Sequence, residues 1–293
     1  MRKRLEGMKL LRMTKICVAI ILVSVLLVPQ SIIGSSPQPA VPNYELKVFL
    51  DPAVVLDQDK QLISSVNSYF NITSVEKLAV QFMDTDDLDM NNEGWAVRIR
   101  KKQAHTDSQF ELVYKKRYPI VNGDIDAALM TAANEGFQAS DTNYEAQVDW
   151  GYQKQTLSFS NKKIITKSGY EGMELPTRKH SRSWSIDEAP GKYENWTSNN
   201  WGTDLLNDVH KPLGPVSGKR SVGAWDNLEV YVEVWQILNE NGTSFDYIVE
   251  ASFKVDDRQV AEDKKADLED DMDFQGWFLP VDQLKTQMIL ERY

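Results

Sequence analysis

The sequence predicts an α+β protein, mostly β, in which antiparallel strands carry helices at their edges. Three observations predict it. Period-two alternation of apolar and polar residues dominates the chain beyond residue 43. Pairs of alternating segments are joined by short polar or turn-forming connections, as in hairpins. Helical spacing is confined to a few stretches between and after them.

Tyr44-Glu45-Leu46-Lys47-Val48 reads as the first strand. Over 57–70, Leu62, Ile63, Val66 and Phe70 fall at helical spacing and predict a short helix. A strand over 77–83 runs into the turn-rich Asp84-Thr85-Asp86-Asp87. Strands over 95–100 and 110–117 flank a polar loop and predict a hairpin, followed by a helix over 127–134 and a strand over 144–150. Residues 168–215 hold Gly, Pro, Ser, Asn and three tryptophans with weak periodicity, and read as a long irregular insertion. Trp184, Trp196 and Trp201 there either staple the loop to the rest of the domain, the favoured reading, or offer aromatic faces to a sugar or protein partner. Strands return at 228–238 and 245–255 around Asn239-Glu240-Asn241-Gly242, a strong hairpin turn. An acidic helix over 259–272 and a second helix over 281–291 end the chain.

The first 36 residues stand apart from this pattern. Arg2, Lys3, Arg4, Lys9, Arg12 and Lys15 precede an uncharged apolar run from Ile16 to Val28, and Gly34, Ser35 and Ser36 follow. That is the layout of a secretory signal peptide; read through Ile33, the run reaches about 18 residues, so an uncleaved anchor is the alternative. The remaining chain, 37–293, reads as a single domain, exported or membrane-anchored, touching a membrane only through that segment. Cys17, within the leader, is the sole cysteine. Three sequons, at Asn71, Asn195 and Asn241, are glycosylation candidates in an exported eukaryotic chain. The formal charge is −10, and the leader carries six basic residues against Glu6, so the domain alone stands near −15. Such a surface argues against general nucleic-acid binding, which depends on clustered Lys and Arg. Cations gathered inside a cavity are another matter, because a cavity focuses its own field.

Side chains two apart on a strand share a face. Glu45 thus lies with Lys47, Arg98 with Arg100, Lys115 with Arg117, Glu145 with Gln147 and Asp149, Glu229 with Tyr231 and Glu233, and Glu250 with Ser252 and Lys254. For any one strand, a solvated face suffices as explanation. The sorting is what suggests more: some polar faces carry paired cations and others carboxylates. Brought together, they form a cation cradle opposite a carboxylate cluster, suited to polyphosphate with a divalent metal.

The segments Phe82-Met83-Asp84-Thr85-Asp86-Asp87-Leu88 and Gly94-Trp95-Ala96-Val97-Arg98-Ile99-Arg100 carry a resemblance. So do the strand ending Tyr114-Lys115-Lys116-Arg117, and Asn43-Tyr44-Glu45-Leu46-Lys47. Together with Lys219-Arg220, Glu229 to Glu233, Glu250 and Lys285-Thr286, they resemble the motifs of the CYTH / triphosphate tunnel superfamily. The resemblance implies an antiparallel β-barrel, a tunnel with flanking helices, that binds a triphosphate-containing small molecule or other polyanion. It implies phosphate contacts from Lys47, Arg98, Arg100, Lys115, Arg117, Lys219, Arg220 and Lys285. It implies Mg²⁺ or Mn²⁺ held by Glu45, Glu145, Glu229, Glu233 and Glu250, with Glu45, Lys47 and Glu250 as catalytic groups of a triphosphate phosphohydrolase. Two positions depart from the family pattern: Asn43 replaces its first glutamate, and Ser252 a later one. Each loses a carboxylate, which motivates the rival expectation of a non-catalytic anion- or partner-binding protein. His105, His180 and His210 lie far apart in polar loops and read as solvated. No nucleophile elbow, Gly-rich phosphate loop or dinucleotide fingerprint is present.

Overall fold

The computed structural model describes residues 36–293. The leader, whether signal or anchor, therefore lies outside the described residues. Pro37–Tyr293 form one compact unit. Among the described residues, no helix is long and apolar enough to cross a membrane.

The chain begins with β1 (Asn43–Leu50), α1 (Pro52–Val55), α2 (Ser64–Tyr69), β2 (Ser74–Met83) and α3 (Asp89–Asn92). The hairpin β3 (Trp95–Lys102) and β4 (Gln109–Pro119) follows, then α4 (Ile125–Asn134), β5 (Glu145–Trp150) and β6 (Gln155–Thr166). Three short helices come next: α5 (Arg178–Asp187), α6 (Gly191–Glu194) and α7 (Trp201–Asn207). The last part is β7 (Leu213–Trp225), β8 (Leu228–Leu238), β9 (Phe245–Val255), α8 (Arg258–Phe274), β10 (Phe278–Leu279) and α9 (Lys285–Arg292).

Nine strands close on themselves in the order β1-β5-β6-β4-β3-β2-β7-β8-β9 and back to β1, with β10 appended to β1. The expected antiparallel barrel needs one correction. β1 and β5 run parallel, pairing Glu45 with Asp149, while the other neighbouring strands of the ring are antiparallel. An odd number of strands forces this. Each antiparallel step reverses direction, so a closed ring of nine must contain a parallel seam.

The apolar faces point outward under the helices. Leu46 and Val48 of β1, Val97 and Ile99 of β3, Val230 and Val232 of β8, and Val249, Ala251 and Phe253 of β9 share a buried cluster with Val66, Leu129, Ala261, Leu268 and Met272 of the helices. Burial of these side chains is the main stabilising contribution, of the order of 1.5–3 kcal/mol for each large one. The polar faces consequently turn into the barrel. At one end the interior is apolar: Leu78, Val80, Phe82, Trp235 and Ile237 pack with Ile289 and Leu290 of α9.

Three strands have no counterpart in the sequence reading: β6, β7 and the two-residue β10. β6 keeps small Ser158 and Ser160 inside, and β7 is interrupted by Gly214, Pro215, Gly218 and Gly223, so neither shows clean alternation. The predicted helix over 57–70 shrinks to α2, because 57–63 forms a turn closed by Asp57 and Gln61. The stretch 168–215 is more regular than expected, since α5, α6 and α7 occupy it. Two of its tryptophans staple it to the barrel, Trp184 packing on Phe110 and Trp196 on Trp95, while Trp201 packs on Tyr193 within the stretch itself.

Candidate functional site

The barrel encloses a cavity of about 720 Å³. Its cationic wall comes from the hairpin β3–β4, where alternation places Arg98 and Arg100 on one strand and Lys115 and Arg117 on the next, all facing inward. The turn before β3 is held by Asp84, whose carboxylate accepts from the backbone N–H groups of Thr85, Met90 and Asn91. The motif at 82–88 thus anchors the arginine strand. Gly94, at φ +72°, follows the turn and accepts the backbone N–H of Arg117 at 2.8 Å.

Three centres organise the charges. At the first, Glu111 receives Arg100 at 2.5 Å, Lys102 at 3.1 Å and, more distantly, Arg98 at 3.7 Å. Burial disfavours the ionised carboxylate, but Arg100, Arg98 and Lys102 outweigh it and lower its pKa to about 2. At the second, Lys47 Nζ lies 3.1 Å from Glu45 and 2.8 Å from Asp149, and Gln147 Nε2 donates to the same two carboxylates at 2.6 and 2.7 Å. Lys115 reaches Asp149 at 3.5 Å. At the third, Lys285 Nζ on α9 sits 2.7 Å from Glu233 and 3.0 Å from Glu250, while Arg220 holds the other oxygen of Glu233 at 2.7 Å.

The electrostatics divide the cations into two kinds. Burial opposes the charge of Lys47, yet Asp149, Glu45 and Glu250 outweigh it and hold its pKa well above the usual range. Lys285 behaves in the same way through Glu233 and Glu250. Lys115 is the opposite case: burial, only partly offset by Asp149 and reinforced by Arg117 and Lys47, lowers its pKa to about 8. Burial, and then Arg100 alongside, push Arg98 downward, although a guanidinium stays charged. Arg117 has no carboxylate partner among the described residues and donates to Thr286 Oγ1 at 3.2 Å. Nε of Arg98 and Nε of Arg100 are buried without a hydrogen-bond partner among the described residues. Orphaned buried donors of this kind are costly, and an anionic ligand would satisfy them.

Of the expected phosphate contacts, Lys47, Arg98, Arg100, Lys115, Arg117, Arg220 and Lys285 line the cavity. Lys219 does not: it points outward and donates to Gln61, because its neighbour Arg220 points in. The expected metal ligands are only partly brought together. Glu45, Glu233 and Glu250 are interior, but Glu145 sits half-exposed, tied to Lys162, Lys254 and Asn43, and Glu229 is exposed and hydrogen-bonded by Tyr231. Among the described residues no group of three or more His, Cys, Asp or Glu side chains is arranged to hold a metal ion. The donor set does not fit a resident Mg²⁺ or Mn²⁺, since the interior carboxylates are already spanned by ammonium and amide groups. His105, His180 and His210 stay separate, His210 pairing with Asp86 at the surface at 2.9 Å. Sequence reasoning missed Glu111, Lys102, Lys162 and Glu76, the last 3.4 Å from Arg220. Glu111 shares the face of Lys115 and Arg117, and Lys102 that of Arg98 and Arg100, so the same alternation pointed to both.

A closed β-barrel around a charged, cation-rich cavity is the class of protein that this fold and site define. The mostly-β barrel with flanking helices expected from the sequence is the architecture observed, apart from its one parallel seam. No protein-family model and no curated protein matches the chain. Similar solved structures include a Hippeastrum protein described as an adenylyl cyclase candidate with a dominant triphosphatase activity, at 15% identity and a TM-score of 0.45, covering 85% of this chain and 99% of that one. Another is an adenylate cyclase candidate from Bacillus halodurans, at 12% identity and 0.47, covering 85% and 96%. A third is the protein PH1819 of Pyrococcus horikoshii, at 12% and 0.39, covering 84% and 97%. These are likenesses in the course of the chain, and the chemistry must come from this chain's own side chains.

Proposed function

We propose that the barrel is a receptor for linear triphosphate-bearing or polyphosphate anions, carried on a single domain over 37–293. One observation carries this reading. Arg98, Arg100, Lys115 and Arg117 project from adjacent strands into one cavity, and their charge is only partly met by protein carboxylates. A chain of phosphate oxygens would satisfy the buried Nε groups of Arg98 and Arg100 and the guanidinium of Arg117, by charge-assisted hydrogen bonds. Eleven cationic side chains line the cavity against six carboxylates, in a protein of net charge −10. That local excess selects a polyanion over a neutral ligand.

Hydrolysis with Mg²⁺ or Mn²⁺ is the less supported reading. Its expected catalytic groups are already engaged: Lys47 pairs with Glu45 and Asp149, and Glu250 with Lys285. The basic and apolar leader supports export, with Asn71, Asn195 and Asn241 all exposed for glycan attachment.

Titration calorimetry with inorganic tripolyphosphate tests the receptor. Arg98→Ala and Arg117→Ala should each weaken binding by about tenfold or more, the loss of a charge-assisted hydrogen bond worth roughly 1.5–3 kcal/mol. Unchanged affinity in both variants would refute the tunnel as the binding site. Phosphate release in the same cells decides between receptor and hydrolase.

A further inference from the structure

We propose that the tunnel binds polyphosphate without a divalent metal ion, the ammonium groups of Lys47 and Lys285 standing where a metal would bridge protein carboxylates to the ligand. The inference rests on the polyphosphate reading above and specifies its chemistry.

Four of the interior carboxylates form two facing pairs. Glu233 and Glu250 are cross-strand partners of β8 and β9, and Glu45 and Asp149 are partners across the parallel seam. A hard divalent ion needs several of their oxygens free, at close to 2.0–2.1 Å for Mg²⁺. Among the described residues each pair leaves one oxygen without a hydrogen bond, Oε2 of Glu250 and Oε1 of Glu45, rather than several. Glu233 accepts from Arg220 on Oε1 and from both Lys285 and Trp235 on Oε2. Lys285 also takes Glu250, at 3.0 Å. Asp149 accepts Lys47 and Gln147 on Oδ1, and Ser158 and Lys115 on Oδ2. Glu45 gives Oε2 to Lys47 and Gln147.

The polar neighbours reinforce the arrangement. Gln147 presents its amide N–H groups, not its oxygen, to Glu45 and Asp149, while its oxygen accepts Lys254 at 2.6 Å. That orientation is a donor where a metal site needs an acceptor. Ser252 lies directly across from Lys47 in the β1–β9 register, so the strand facing this lysine contributes a hydroxyl where a carboxylate would recruit a cation. Lys47 and Lys285 therefore do two jobs that a metal would do. They neutralise paired carboxylates, and each ammonium keeps a third N–H for a phosphate oxygen. The excess of cations over carboxylates around the cavity supplies the remaining neutralisation without an added ion.

The test is titration of the full chain with inorganic tripolyphosphate in EDTA and again in excess Mg²⁺, together with titration of the ligand-free protein by Mn²⁺ followed by electron paramagnetic resonance. Binding in EDTA should be at least as tight as in Mg²⁺, and the free protein should show no saturable Mn²⁺ site. Stoichiometric Mn²⁺ uptake, or affinity weakened about tenfold or more by EDTA, would overturn the inference while leaving polyphosphate binding intact. Binding in neither buffer would overturn the polyphosphate reading itself. Lys285→Gln, checked for folding by its melting curve, frees the Glu233–Glu250 pair. It should lose about tenfold in affinity in EDTA and recover part of it with Mn²⁺. Lys47→Gln makes the same test at the other pair. If both variants matched wild type in EDTA and in Mn²⁺, the ammoniums would have no such role.

Discussion

At the residue scale the tunnel is a set of buried charges whose proton affinities differ by position, and pH separates them. Lys115, lowered to about 8, begins to lose its proton near that value in the free protein. A bound polyanion would favour the charged amine and raise its pKa again. Tripolyphosphate affinity should therefore fall as pH rises through 8, and binding in that range should draw in a proton. Calorimetry in two buffers of different ionisation heat measures the uptake, and Lys115→Arg should abolish it; persistence in that variant would assign the proton elsewhere. Glu111 works in the opposite direction. Its folded pKa of about 2 lies below the ordinary 4.5, so its ion pairs stabilise the fold above 4.5 and that contribution is lost as pH falls toward 2. The contribution is about 3 kcal/mol from the shift alone. Glu111→Gln should melt well below wild type near neutrality, and the gap should close in strong acid. A gap independent of pH would mean that packing, not charge, makes Glu111 matter.

At the element scale the hairpin β3–β4 concentrates the binding groups, and its geometry depends on the turn preceding it. Gly94 has φ +72°, and a Cβ there would stand 2.8 Å from the carbonyl oxygen of Arg117. Gly94→Ala should cost about 1–3 kcal/mol of stability from backbone strain. It should also weaken tripolyphosphate binding, because relief of that contact displaces Arg117. Thermal melting and calorimetry on the same preparation read both effects; loss of stability with unchanged affinity would detach Arg117 from the turn. The long hairpin β8–β9 and the short α9 complete the site from the other side, carrying Glu233, Glu250 and Lys285 to one point. Elements with regular alternation were legible in the sequence. β3, β4, β8 and β9 were readable because each has one apolar and one charged face. β6 and β7 were not, since serines and glycines face the interior where a larger polar side chain would have marked the period.

On the scale of the whole molecule, a chain of net charge −10 gathers its cations in a cavity. Repulsion among those without a full complement of carboxylates, Arg98, Lys115 and Arg117 above all, opposes folding, and a bound polyanion would relieve it. Saturating tripolyphosphate should raise the melting temperature, by about 2.7 kcal/mol of added stability at a hundredfold excess over Kd. The increase should shrink with added salt, and a salt-independent increase would argue against an electrostatic tunnel. By itself, the sequence determined the inward company of Glu45 with Lys47, Arg98 with Arg100, and Lys115 with Arg117, because a strand's period of two is a local property. It could not determine which strands are neighbours. Only closure of the barrel decided that Asp149 meets Lys47, that Lys285 comes between Glu233 and Glu250, that Lys219 turns away, and that one seam is parallel. Those facts depend on contacts between residues far apart in the chain, and they turned an expected metal-binding carboxylate cluster into ion pairs.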